Sequence, residues 1–210
     1  GAFLDQTLSS ESMVRNILKN TNSRLKYLYR QASFLNKDSK KTLSQSLIQS
    51  QFDYSCSSWY TGCSETSKKK LQVCQNKIAR FVLNLPPRSH IGPEELDNIG
   101  WLDVQHRVSQ LKLNHVFTIY TENCPSYMLT NFSKVSAIHR YATRASNFNF
   151  HIPQVNSVSK QSFYYSGIKT WNALPNLLKN ITVKDNFKKE LKTHLRNEMY
   201  RKEAEVFFYY

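Results

Sequence analysis

The chain lacks the close cysteine pairs of a zinc site. Cys56, Cys63, Cys74 and Cys124 are scattered with no C-x-x-C among them, and the six histidines form no H-x-x-x-H. Structural zinc generally draws on two close pairs, so these cysteines read as small apolar residues of a reducing compartment. Glycine is scarce: with five in all, none makes a G-x-G-x-x-G or Walker pattern, which argues against a phosphate loop. No spacing suggests a Ser–His–Asp or Cys–His arrangement. No apolar run approaches the roughly 18 residues of a membrane span. The opening Gly1-Ala2-Phe3-Leu4-Asp5 has neither the basic start nor the long apolar stretch of a signal peptide. The expectation is an intracellular protein, nuclear or cytoplasmic, with no membrane partner. There is no initiator methionine, so the chain reads as a piece of a longer protein.

Acidic residues are also few, and their scarcity is organised. No carboxylate occurs from Ser12 to Lys37, where Arg15, Lys19, Arg24, Lys26, Arg30 and Lys37 stand. None occurs from Thr66 to Pro93, with Lys68, Lys69, Lys70, Lys77, Arg80 and Arg88, nor from Asn123 to Lys184. The net charge is +14, the electrostatic footprint of a polyanion binder.

What remains is mostly helical periodicity. Val14, Ile17, Leu18, Thr21, Leu25 and Leu28 recur at three- and four-residue spacing, with Arg15, Lys19, Lys26 and Arg30 on the other face. A break at Asn36-Lys37-Asp38 leaves Asp38 or Ser39 to cap a second helix with Leu43, Leu47, Ile48 and Phe52 as its apolar line. Ser64 to Ser67 offers a cap for a third, with Leu71, Cys74, Ile78, Phe81 and Leu85 on one side and Pro86-Pro87 ending it. Asp103 caps a fourth. Ser146 to Ile152 alternates polar and apolar residues, as an extended segment does. A helix from Ser162 to Thr170, a stop and restart at Trp171-Asn172-Ala173-Leu174-Pro175, and a final helix with Phe187, Leu191 and Leu195 complete the pass. No internal repeat is present.

Several strings, taken in order, carry a resemblance. They are Arg24-Leu25-Lys26-Tyr27-Leu28-Tyr29-Arg30, Ser46-Leu47-Ile48-Gln49-Ser50-Gln51-Phe52-Asp53-Tyr54-Ser55-Cys56-Ser57-Ser58-Trp59 and Lys70-Leu71-Gln72-Val73-Cys74-Gln75-Asn76-Lys77-Ile78-Ala79-Arg80. Gly100-Trp101-Leu102-Asp103-Val104, Pro125-Ser126-Tyr127, Trp171-Asn172-Ala173-Leu174-Pro175 and Phe187-Lys188-Lys189-Glu190-Leu191-Lys192 follow. Their order and spacing resemble the region after the palm in jockey-like and chicken-repeat-like non-LTR (LINE) retrotransposon reverse transcriptases. The resemblance implies a mainly α fold: a thumb-like helical bundle, then a second helical part with a short extended aromatic segment. It implies a connecting strand and turn over 1–8, the thumb over 9–85 and the carboxy-terminal region over 86–210.

Polymerases of that kind hold two metal ions on palm aspartates. The chain has no Asp-Asp dipeptide. The resemblance therefore implies a fragment of an RNA-directed DNA polymerase that is no enzyme by itself. It would have no cofactor of its own, the Mg2+ belonging to the palm. Its partners would be RNA and DNA, as an RNA–DNA hybrid or target DNA, and the palm of the same polyprotein. The alternative is a helical protein–protein module or an inactive retrotransposon-derived remnant.

The expected nucleic-acid contacts are Lys69, Lys70, Gln72, Asn76, Lys77 and Arg80 on the third helix, with Arg140 and Arg144 further on. Lys69, Lys70, Lys77 and Arg80 would take phosphates, and Gln72, Gln75 and Asn76 would reach sugars and base edges. Gln75 and Asn76 equally suit buried hydrogen bonds between helices. Asp53 suits a structural ion pair with Arg80 or Arg107. Of the aromatics between Asn123 and Lys184, a minority would stack on unpaired bases and the rest would form a core.

Overall fold

A computed structural model describes residues 9–138 and 148–208, and the side chains of these up to residue 203. The described residues are mainly helical. In chain order they form α1 (Glu11–Arg30), α2 (Lys37–Ser44), α3 (Ser50–Asp53), α4 (Cys56–Trp59), α5 (Glu65–Leu83), α6 (Pro93–Asn98) and α7 (Val104–Tyr120). Then come α8 (Ser126–Leu129), α9 (Val135–Ile138), α10 (Phe163–Asn172), α11 (Asn176–Lys179) and α12 (Lys184–Phe208). They divide into two compact units. One draws on Gly1–Val108 and Leu195–Tyr210, the other on Ser109–His194.

In the first unit α1 and α5 lie side by side and run the same way. At their starts the Glu11 carboxylate accepts from the hydroxyls of Ser64 at 2.8 Å and Ser67 at 2.8 Å. At their ends the Tyr29 and Phe81 rings meet edge-on at 4.9 Å. Those hydroxyls, Ser67 first and then Ser64, hold the Glu11 carboxyl below the usual carboxylate range. Between the two helices Val14, Ile17, Leu25, Leu71, Cys74 and Ile78 are buried. Removing such side chains from water is worth roughly 25 cal/mol per Å2 of apolar surface, which is why this pair anchors the unit.

The helix starts follow short-range chemistry. Asn36 caps α2, its side-chain oxygen accepting from the Ser39 amide at 2.8 Å, so the capping residue is neither Asp38 nor Ser39. Ser64 caps α5 through the Ser67 amide at 3.2 Å. Asp103 caps α7, accepting from the His106 amide at 2.7 Å. α5 stops where Asn84 turns left-handed, ahead of Pro86-Pro87. Gly100, at φ 71°, closes the turn after α6 by donating its N–H to the Asp97 carbonyl at 2.8 Å, a conformation open to glycine at little cost.

The second helix departs from regular periodicity. After α2 the chain winds through a π-type turn at Gln45–Gln49 before α3. The wider turn rotates the following side chains, and Leu47, expected on the apolar line, is 39% exposed while Ile48 is buried. The Leu47 carbonyl accepts from the Arg24 guanidinium and from Gln51 Nε2, the latter at 2.9 Å. Trp59 is buried and donates its ring N–H to the Tyr54 carbonyl at 2.9 Å.

The second unit is built on aromatic packing. Phe117 stacks on Phe187 at 4.2 Å, Tyr120 lies 4.8 Å from Trp171, and Phe132 meets Phe150 edge-on at 5.3 Å. Of the expected extended segment, Ser146 and Asn147 lie outside the described residues, Phe148 sits in a turn, and Phe150 makes an isolated antiparallel bridge to Lys134. The side chain of Asn172 reads that segment as a strand would: it accepts from the Phe150 N–H at 2.9 Å and donates to the Phe150 carbonyl at 2.7 Å. Trp171 donates to the Phe148 carbonyl at 2.9 Å. Trp171 and Asn172 thus clamp the extended segment, and Pro175 starts α11 after the stop.

Candidate nucleic-acid interface

α5 sorts its polar side chains onto two neighbouring faces. Thr66, Lys69, Lys70, Val73 and Lys77 face outward beside α1. Across from them, α1 presents Arg15, Leu18, Asn22, Lys26 and Tyr29, spaced i, i+3, i+7, i+11 and i+14 so that they share one helical stripe. Leu18 and Asn22 line a groove of about 370 Å3 together with Lys69, Lys70, Val73 and Lys77 of α5. The result is a platform of two parallel helices on which the apolar Leu18 and Val73 are flanked by Lys69, Lys70 and Lys77 of α5, with Arg15 and Lys26 on the α1 stripe.

The electrostatics of this platform are one-sided. Among the described residues no carboxylate lies within ion-pair distance of Lys69, Lys70 or Lys77. The two carboxylates at its start are hydrogen-bonded by other groups, Glu11 by the serines and Glu65 by Lys68 at 2.7 Å, and act on Lys70 and Lys69 only as nearby charges. Unpaired ammonium groups on one face leave a local positive field that phosphate would complement.

Gln72, Gln75 and Asn76 turn toward the chain around Trp101-Leu102-Asp103-Val104 and hold it. Gln72 accepts from the Val104 amide at 2.9 Å, and its amide nitrogen donates to Asn76 at 2.8 Å and to Gln75 at 3.0 Å. Gln75 is buried and donates to the Leu102 carbonyl at 2.9 Å. Gln72 and Asn76 remain partly exposed and line a second, shallower hollow with Pro93, Leu96 and Met199. Arg80 is half-buried, and its Nε donates to the Ser89 carbonyl at 2.8 Å, bracing the loop after α5. Asp53 pairs with Arg107, in a two-pronged contact of 3.1 and 2.8 Å.

The chain matches no family model, no curated protein and no solved structure.

Within the first unit, then, Lys69, Lys70 and Lys77 come together on one open face, Arg80 stands further along the same helix, and Gln72 and Asn76 sit beside a backbone they support. Arg140 and Arg144 lie outside the described residues. Three further lysines are withdrawn from the surface, each buried with its ammonium against a neutral oxygen. Lys40 meets Asn84 over the Phe81 ring, Lys112 meets Ser166 at 3.0 Å, and Lys179 meets Asn149 at 2.8 Å. Burial lowers the Lys179 ammonium below the usual lysine range. The sequence showed Arg15 and Lys26 on a basic face of α1 but put Leu18 on the apolar face, and the partnership with α5 was not legible, since helix pairing is a long-range property. Of the aromatics between Asn123 and Lys184, Phe132, Phe150 and Trp171 are core. Among the described residues no cluster of histidine, cysteine and carboxylate groups could hold a metal ion, and no helix is long and apolar enough to cross a membrane.

Proposed function

We propose that this chain grips nucleic acid through the platform of α1 and α5, in the manner of a polymerase thumb detached from its catalytic palm. The observation that carries the reading is the set of exposed lysines Lys69, Lys70 and Lys77 without ion-pair partners among the described residues, beside an α1 stripe that holds Arg15 and Lys26, on a molecule of net charge +14. The mechanism is neutralisation of phosphates with release of their condensed counterions, which makes binding steeply salt-dependent. Resemblance of the ordered strings to the post-palm region of non-LTR retrotransposon reverse transcriptases supports the same reading. In that reading template RNA, primer DNA or target DNA is the ligand. Metal-dependent synthesis belongs to palm aspartates outside this sequence, and this chain's residues hold and orient rather than react.

The test is direct binding of the purified chain to a labelled RNA–DNA hybrid and to single strands at low salt, beside a neutral helical protein of similar size. Binding well above the control supports the reading. Binding no stronger than the control for every probe rejects it and leaves a helical protein–protein module.

A further inference from the structure

The seam of the platform is apolar where a purely electrostatic phosphate cradle has no need of it. Val73 stands 54% exposed in the middle of α5, between Lys69 and Lys77 on the same stripe. Leu18 faces it from α1, in the same groove. Tyr29, 50% exposed, ends the α1 stripe with its ring braced edge-on by Phe81. A single exposed valine is unremarkable on any helix. Here Leu18 and Val73 share one groove flanked by Lys69, Lys70 and Lys77, and Tyr29 stands further along the same α1 stripe.

We propose that this seam receives the bases of an unpaired strand, so that the platform prefers single-stranded nucleic acid, or the single-stranded part of a template–primer, to a closed duplex. The inference rests on the nucleic-acid reading above and names its ligand class. In a duplex the bases are stacked inside, and the platform could reach only phosphates and sugars. Charge alone would then favour the duplex, whose counterion atmosphere is denser than that of one strand. A single strand offers both parts at once: phosphates to Lys69, Lys70 and Lys77, and base faces to Leu18, Val73 and Tyr29. Interleaved cations and an exposed ring form the arrangement that holds single strands without reading their sequence. The braced Tyr29 ring gives up little freedom on stacking. With only one aromatic in the line, discrimination among the four bases should be weak.

The experiment measures fluorescence anisotropy with the purified chain at low salt and three probes of equal length. These are a mixed-sequence single strand, the corresponding duplex, and a single strand carrying abasic sugars over its central stretch. The base-bearing strand should bind at least about fivefold tighter than the abasic strand, the lower end of what one stacked base contributes, and tighter than the duplex. Tyr29→Ala should bring the base-bearing strand close to the abasic one while leaving abasic binding unchanged, and Tyr29→Phe should keep the preference. Equal binding of abasic and base-bearing strands, or duplex binding as tight as single-strand binding, overturns the inference while the nucleic-acid reading stands. A base preference undiminished in both Tyr29→Ala and Val73→Asn also overturns it, because the bases would then be held elsewhere. Absence of binding to all three probes overturns the underlying reading instead. If Tyr29→Ala proves too unstable to purify, Val73→Asn carries the comparison: a base preference undiminished in that variant overturns the inference.

Discussion

Gln75 shows how one side chain on the helix proposed to bind nucleic acid belongs to the fold. It is buried, and its amide donates to the Leu102 carbonyl, while its neighbour Gln72 accepts from the first amide of α7. Replacing Gln75 by Ala leaves a buried carbonyl without its donor, at a cost of about 1–3 kcal/mol. Gln75→Ala should therefore lower the melting temperature and leave the salt dependence of nucleic-acid binding unchanged, a pairing checked by thermal unfolding and a salt titration. Asp103 gives a second residue-level expectation. Burial pushes its carboxyl up, but the His106 ring nitrogen at 2.8 Å and the His106 amide more than offset this, and the group rests below its ordinary value of 3.8. A carboxyl that is more acidic in the fold than in the unfolded chain contributes stability above its ordinary value. That contribution is lost as pH falls through the lowered one. Acidification below pH 3.8 should thus destabilise the native chain more than Asp103→Asn, as read by denaturant midpoints at successive pH values.

At the scale of the element, α5 divides its cations between two tasks. Lys77 is exposed on the platform, whereas Arg80 braces the Ser89 carbonyl. Lys77→Ala should flatten the plot of log affinity against log salt by roughly 0.7–0.9 and move stability by less than about 0.5 kcal/mol. Arg80→Ala should instead cost about 1.5–3 kcal/mol of stability through the lost charged hydrogen bond. A salt slope equal to that of the native chain in Lys77→Ala would remove that residue from the proposed interface. Much of the element structure was legible in the sequence, because its causes are short-range. Ser64 and Asp103 announced their helices as caps, Pro86-Pro87 marked the end of α5, and Trp171 to Pro175 announced a stop and restart. The π-type turn at Gln45–Gln49 was not legible, since Leu43, Leu47 and Ile48 fit a regular helix as well. The true cap of α2, Asn36, stood two or three residues ahead of the candidates, within the break itself.

At the scale of the whole molecule, the sequence spoke clearly about class and charge and less clearly about where the charge gathers. A mainly helical chain with three carboxylate-free stretches could be read directly from composition and period. Which basic stripes face each other depends on α1 lying against α5, and that contact joins residues more than fifty positions apart, such as Glu11 and Ser67. The same long-range packing withdrew Lys40, Lys112 and Lys179 from the surface and made Phe132, Phe150 and Trp171 core. The central claim is that phosphates are neutralised by the open lysines of the platform. Its most direct test is the salt dependence of nucleic-acid affinity in the native chain and in Lys69→Ala/Lys70→Ala/Lys77→Ala. The account predicts a steep slope for the native chain and a loss of roughly 2–3 from its magnitude in the triple variant, with melting temperature nearly unchanged. An equal slope in the two proteins would contradict it.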